Sequence, residues 1–558
     1  MKIKRLMSLS ALAAAALLSL PTSAANLNVT AARSAAGNFL KQQALARPGT
    51  INAPALADLK LAHAEPSGKV KDANDFYAFN IKGGGFVIVA GEDRATPVLG
   101  YSDKGKIDFN NLPPALKDLL EGYKREIEFL QTYTGNDLKM VTPELSATSV
   151  DPLIKTTWGQ EMPYYLQCPI YRNEYCVVGC VATAMAQVMN YWQYPTSCGA
   201  LDSYYCYDIR QTVQGLPATT FDYSLMLPSY CHWDYDNGVL VQDTYTDAQA
   251  QEVAKISRYC GQAVEMGYSP DGSGAYTSDQ LAAMKWFGYS SNAQDVSKGG
   301  GIWNWGNNYT DSQWETMMKN ELNAGRPLLY SATDPSSGGH AFICDGYNTS
   351  NYFHFNYGWY GTCDGWYVST SLRMTHRDGD QLNFSSNHEM LTGMEPPTYC
   401  IINNVVLEAD NELLVLGESL NTRAVDFTFR TSYNSFNLLF GLVDANGNRV
   451  CTSDAVNVNK NSFVQGSTVN GIITLPATLE TGTYNLGLGY YTTNANNLTN
   501  IANASGQLTV VGKVAKYGEP FTPTDVTTVI NYLLGNDYPQ LTVSDATQLI
   551  NYVLNSAE

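Results

Sequence analysis

The chain reads as an α+β protein built from several units in series, and three patterns carry that reading. Strand-like runs separated by Gly-rich turns fill residues 76–101. Over residues 151–395 helical stretches come first and strands second, a two-lobed plan with a cleft between the lobes. From about 397 to 512 short alternating runs predict an all-β segment. At 558 residues the chain is also too long for a single core.

Composition bounds what such a chain can do. There are 52 acidic against 34 basic residues, a net charge of −18, so a phosphate backbone would be repelled and nucleic acid is excluded as a partner. A charged fraction of only 15% with 37 tyrosines argues for folded, strand-rich structure. Lys2, Lys4 and Arg5 precede a largely apolar run over residues 11–20 and the small residues Ser23, Ala24 and Ala25. That pattern predicts a secretory signal peptide at 1–25, because the run is too short to span a membrane comfortably, and places the protein outside the cell or at its surface.

Residues 26–150 contain no cysteine. Strands are expected at 76–81, 85–91 and 98–101, followed by an amphipathic helix over 112–130 that Pro113 and Pro114 open. The polar stretch 139–155 reads as an exposed linker, the kind of segment proteases cut.

The chemistry begins at Gly179-Cys180-Val181-Ala182-Thr183-Ala184-Met185-Ala186-Gln187. The run places a thiol in the first turn of a helix, where unpaired N–H groups and the positive end of the dipole favour a thiolate nucleophile. Taken alone, a small buried cysteine would serve the same position. A second constellation follows at Gly338-Gly339-His340-Ala341-Phe342, then Asn356-Tyr357-Gly358-Trp359, the two flanking a turn at Asn348-Thr349-Ser350-Asn351. A symmetric turn sets His340 opposite Trp359, whereas a slip of one residue brings Asn356 onto the histidine's face. Either arrangement supplies a nucleophile, a base and a group to orient the imidazole.

These residues resemble the streptopain family of bacterial papain-like cysteine proteases. The similarity rests on the Gly-Cys-Val-Ala-Thr-Ala run at Cys180 with Met189-Asn190-Tyr191 and Tyr194-Pro195 after it, on Gly338 to Phe342, on Asn356 to Trp359, and on Gln160-Glu161-Met162-Pro163-Tyr164. One residue departs, with Tyr357 where the best-known member has Trp. The resemblance implies a papain-like catalytic domain at 151–395 with Cys180 as nucleophile, His340 as base, Gln160 in the oxyanion hole, and Asn356 or Trp359 orienting His340. It also implies that 26–150 is an inhibitory propeptide that inserts against the catalytic sheet and displaces the histidine until it is cleaved. The remaining histidines, His63, His232, His354, His376 and His388, read as structural.

Within 151–395 further helices are expected at 247–259, 278–286 and 314–323, with a flexible loop at Ser269–Ala275 that in the family borders the substrate cleft. That Gly-rich loop has neither a Lys-Ser/Thr sequel nor a preceding strand, so no nucleotide is expected. Cys176 and Cys180 lack the second half of a zinc site, and no cofactor is expected. Eleven cysteines in an exported chain suggest disulfides, and the odd count leaves at least one thiol free.

Residues 396–512 fit an immunoglobulin-like β-sandwich, with turns at Asn446-Gly447 and Thr481-Gly482. In 513–558 the pattern Thr524-Asp525-Val526-Thr527 to Leu534 recurs at Ser544-Asp545-Ala546-Thr547 to Leu554, resembling a degenerate dockerin-like helical repeat. Val514, Lys516 and Gly518 occupy the expected ligand positions before the first copy, so calcium binding is not expected; a docking or surface-retention partner is. The expected reaction is peptide-bond hydrolysis through an acyl-enzyme, on protein or peptide substrates and the chain's own propeptide. Acyl transfer to amines and a non-catalytic surface adhesin are the rivals.

Overall fold

The computed structural model describes residues 26–511, apart from 47–52, 136–137, 141–145, 147, 236, 299–308, 335–337, 371–373, 377–387 and, nearer the C-terminus, 404, 411–412, 416–418, 445–447, 477, 480–481, 493–497 and 502–506. The expected signal peptide, the expected dockerin-like repeat and the turns at 446–447 and 481 lie outside the described residues. The chain divides into two compact units, one running to Pro396 and the other from Pro397 onward.

In the first unit the elements run α1 (Val29–Ala46), β1 (Leu59–Pro66), β2 (Asn74–Ile81), β3 (Phe86–Ala90), β4 (Val98–Ser102), α2 (Pro114–Thr132), α3 (Cys180–Trp192), α4 (Asp247–Ala263), α5 (Thr277–Trp286), β5 (Gln294–Ser297), α6 (Asp311–Asn323), β6 (Leu328–Asp334), β7 (Gly338–Tyr347), β8 (Phe353–Asn356), β9 (Gly365–Tyr367) and β10 (His388–Thr392), with shorter strands between them. Local chemistry explains the helix starts. The Asn28 carboxamide oxygen accepts from the Thr30 and Ala31 amides at the head of α1, Pro114 opens α2, and Thr246 with Gln249 and Thr310 with Gln313 form capping boxes for α4 and α6.

The ten strands make one antiparallel sheet in the order β1-β2-β3-β4-β9-β8-β7-β6-β10-β5. The N-terminal meander therefore continues directly into the sheet that carries His340, through β4 against β9, with Tyr101 opposite Trp366 and Gly100 opposite Tyr367. Residues expected to form a separate N-terminal domain share one core with the rest. Leu116, Tyr123 and Ile127 of α2, Leu40 of α1 and Trp314 and Met318 of α6 belong to the same buried cluster as Tyr330, Phe342, Phe355 and Tyr367 of the sheet. Helix α3 lies on the opposite face, against β7 and β8.

The segment expected to be a free linker is tethered. Residues Leu138–Met140 pair as a strand with Met374–His376, and Val150 bridges Tyr347. The expected disulfides are absent, since all eleven cysteines are free thiols. Seven are buried, where a thiol packs as a small apolar side chain.

Among the described residues, the second unit holds a four-stranded and a seven-stranded sheet around one core that includes Phe427, Phe436, Phe440, Ile473 and Leu486. Inward and outward residues alternate along Ser419–Thr431 as the sequence pattern requires.

Gly100 has no room for a side chain, because a Cβ there would stand 2.4 Å from Tyr367 Cδ1 and 3.2 Å from the Trp366 carbonyl oxygen. Gly100→Val is expected to destabilise the full chain by about 1–3 kcal/mol through overpacking at this strand junction. Denaturant unfolding of the first unit measures it; an unchanged midpoint would mean the two sheet halves are not joined as described.

Candidate active site

Cys180 is the first residue of α3, and Gly179 before it adopts φ +88°. A Cβ at 179 would meet Met266 Sδ at 2.8 Å and the Ser273 carbonyl oxygen at 3.0 Å, so both conformation and space require glycine. The thiol's neighbour on the sheet is the Ala341 amide, which donates to Sγ at 3.5 Å. Burial raises the Cys180 thiol above its usual range, and the Ala341, Val181 and Cys180 amides offset part of that rise. The thiolate expected at this helix end is thus disfavoured here, because burial outweighs the amide dipoles.

His340 sits opposite Ala332 on β6, and its side chain lies on the other face of the sheet from Cys180. Its Nε2 is 3.9 Å from Asp118 Oδ2 on α2. The imidazole is 24% exposed and the carboxylate 3%. Burial lowers the His340 pKa, the Asp118 carboxylate pulls the other way, and Lys117 adds to the lowering. The structure therefore does not bring the side chains of Cys180 and His340 together; it brings together Cys180 and the residue next to His340. Asp118 is the contact of His340 that the sequence reading missed. Its signal was an acid three residues after Ala115, within the apolar stripe of a helix already expected to be amphipathic.

The strand register decides between the alternatives left open by the turn. A bulge lies between Cys344 and Gly346, and beyond it Ile343 pairs with Asn356, the symmetric register. Pairing ends at Asn356, and Gly358 turns the chain at φ +64°, so Trp359 does not reach a position opposite His340 within the ladder. Asn356 shares a face with Ile343 and Ala341, the face of Cys180. Its Oδ1 accepts from Gln187 Nε2 at 3.1 Å and from the Gly358 amide at 3.0 Å, while its Nδ2 donates to the Thr156 carbonyl at 2.8 Å. Trp359 is half-buried and packs on the core shared with α2. The Tyr357 ring is buried 5.5 Å from Phe342.

Gln160 is held close to Cys180 by its backbone, since its carbonyl accepts from the Val178 amide at 3.0 Å. On its N-terminal side Gly159 lies flat against the Tyr360 ring, which a Cβ would approach within 2.2 Å.

The other histidines have partners of their own. His354 Nδ1 lies 2.6 Å from Asp345 Oδ1; burial alone would lower its pKa, but the carboxylate outweighs it and the imidazole is held above its usual value. His232 pairs with Asp243, and His63 with Glu65 while stacking on Phe109. His376 lies on a strand whose side chains are outside the description. His388 Nδ1 is hydrogen-bonded to the Tyr330 hydroxyl at 2.5 Å, and that hydroxyl accepts from Trp314 Nε1 at 2.9 Å.

Two family models match the chain: one described as the Peptidase C10 family over residues 158–367, and one described as Spi protease inhibitor over 24–127. The chain is 27% identical to streptopain of Streptococcus pyogenes serotype M1 over 390 residues, 66% of this chain and 92% of that protein. It is also 27% identical over 342 residues to the thiol protease/hemagglutinin PrtT of Porphyromonas gingivalis, covering 58% of this chain and 37% of that protein. Among solved structures it is similar to a prointerpain A fragment of Prevotella intermedia, with 29% identity, 60% of this chain and 98% of the other covered, and a TM-score of 0.47. Active interpain A of the same organism matches at 31% identity over 46% of this chain and 98% of its own, with a TM-score of 0.36.

Two outcomes follow from this geometry. Asp118→Lys sets a second cation against His340, and reaction of Cys180 with a thiol alkylating reagent is expected to speed up several-fold as α2 loosens; a rate equal to wild type would remove Asp118 from the contact. His388 is lowered to about 3, by burial first and then by Lys298. Between that value and an unfolded pKa of about 6.5 the unfolded chain binds the extra proton. The stability held by neutral His388 is therefore complete above pH 6.5 and is lost as pH falls toward 3. The acid-side fall in melting temperature is expected to be shallower in His388→Gln.

Proposed function

The chain belongs to the Peptidase C10 family of streptopain-like cysteine proteases and is a cysteine-type peptidase, and from that premise we propose that it is a secreted endopeptidase made as a self-inhibited precursor. The observation that carries this reading is the division of the catalytic pair across the sheet: Cys180 is bonded to the Ala341 amide, while His340 faces Asp118 on a helix that begins within the inhibitor-like segment 24–127.

On this reading the N-terminal segment to about residue 150 acts as an intramolecular inhibitor. While α2 occupies its face of the sheet, His340 is kept from the thiol, and burial keeps the thiol protonated. Once α2 leaves, the imidazole turns to the Cys180 side and takes the thiol proton, giving a thiolate–imidazolium pair. The thiolate attacks the scissile carbonyl, the imidazolium protonates the leaving amine, and water then hydrolyses the thioester. The Gln160 carboxamide and the Cys180 amide donate to the oxyanion, each donor contributing about 3 kcal/mol. Asn356 or Trp359 orients the imidazole. The segment 1–25 directs export, the sandwich from residue 396 acts as a spacer, and 513–558 supplies a docking surface.

Incubating the purified, reduced full chain beside Cys180→Ala, with mass followed by gel and mass spectrometry, tests this directly. Stepwise loss of the N-terminal segment up to the 141–149 region is expected in the wild type only. Persistence of the full-length wild type without peptide hydrolysis would overturn self-activation.

A further inference from the structure

Gln187 is the one strongly polar residue deep in an otherwise apolar stretch of α3, and it is fully buried. It lies seven residues after Cys180, with Thr183 between, so the three share one stripe of the helix. That stripe faces the strands carrying His340 and Asn356. Cys180 meets the Ala341 amide at one end, and Gln187 meets Asn356 at the other.

Backbone groups fix the polarity of this contact. The Trp158 amide can only donate, and it reaches Gln187 Oε1 at 3.2 Å, beside the Thr156 hydroxyl at 2.8 Å. Gln187 must therefore turn its NH2 group toward Asn356. The Thr156 carbonyl can only accept, which assigns the NH2 of Asn356, and the Gly358 amide can only donate, which assigns its oxygen. Three backbone groups from two segments agree on a single orientation for both carboxamides.

We propose that Gln187 is a positioning residue for the peptidase reaction: it holds the Asn356 carboxamide with its oxygen aimed at the Cys180 face of the sheet, where the His340 imidazole needs an acceptor for its second N–H. This rests on the reading of Cys180 and His340 as the catalytic pair. The oxygen already accepts from Gln187 Nε2 and the Gly358 amide, so an imidazole arriving on that face shares it as a third donor; with the carboxamide reversed it would meet an NH2 group and lose the bond that fixes its tautomer. The network exists while His340 is still held on the other face, so the acceptor is in position before the base arrives.

The test uses Gln187→Met, which keeps the side-chain length and deletes both polar functions, and Gln187→Glu, which keeps the acceptor for Trp158 and Thr156 and can donate to Asn356 only while its carboxyl is protonated. Both are made as full chains and processed by the same tagged wild-type enzyme, which is then removed. Gln187→Met is expected to lose about tenfold or more in kcat at nearly unchanged KM. Gln187→Glu is expected to be most active at low pH and to lose activity as pH rises through an ionisation absent from the wild type. If the methionine variant fails to fold, the pH profile of the glutamate variant decides alone. Wild-type kcat and a wild-type pH profile in Gln187→Glu would overturn the proposal, whatever the change in melting temperature. A processed wild type that hydrolyses no peptide would instead remove the catalytic assignment, and this inference with it.

Discussion

The period-two alternation of one β-strand governs this site. On β7, Ala341 points toward α3 and offers its amide to Cys180, so its neighbour His340 must point toward α2. No adjustment of rotamers alone brings both onto one face while the strand pairs with β6 over Gly338 to Cys344. The separation of His340 from Cys180 is therefore a property of strand pairing, and reversing it requires the first residues of β7 to change their pairing or twist. Those residues open a strand that begins with two glycines, Gly338 and Gly339, where backbone rearrangement meets the least steric resistance.

Two kinds of force hold α2 over His340, and their sizes differ. Ala115, Leu116, Leu120, Tyr123, Ile127 and Leu130 are all buried on that helix. Each large apolar side chain contributes on the order of 1.5–3 kcal/mol when fully buried. The Asp118–His340 contact is longer than a hydrogen bond, and its carboxylate lies in a largely desolvated position, where burying the charge offsets much of the attraction. Apolar burial docks the helix, and Asp118 decides what faces the imidazole once it is docked. The Tyr123 hydroxyl, donating to the Val368 carbonyl at 2.6 Å, adds a directional bond at the strand that joins the two sheet halves.

Much of this was legible in the sequence because it depends on neighbours in the chain. The start of α3 at Cys180, the strand opening near His340, the turn at Asn348–Asn351 and the amphipathic stretch from residue 112 are set by local spacing and turn chemistry. What escaped depends on contacts far along the chain. Asp118 in an apolar stripe reads as a helix flank until the sheet beneath it is known. The bulge beside Asp345 is invisible because both registers preserve alternation, and the buried carboxylate at the bulge accepts from the Ile154 amide at 2.9 Å, far back in the chain. Helix α1 has six alanines and only Val29, Phe39, Leu40 and Leu45 as large apolar residues, too few to mark a helical face by spacing, and its start depends on Asn28. The cysteines misled because export suggested oxidation, whereas most of them fill small apolar sites.

The shared sheet also constrains how an inhibited state could end. A cut within 141–149 severs the chain but leaves the β4–β9 pairing, the buried face of α2 and the α1 contacts untouched. Linker cleavage converts a covalent attachment into a non-covalent one whose buried surface is unchanged. Release then depends on dilution or on destruction of the freed segment, both of which pull a binding equilibrium rather than break a bond. The strand Leu138–Met140, paired with Met374–His376 directly before the cut region, adds a further tie on the inhibitor's side of any such cut. While α2 holds His340 away from Cys180, release is governed by the local stability of the N-terminal segment, so weakening of the β4–β9 seam or of the α2 dock acts on release more strongly than the sequence of the linker itself.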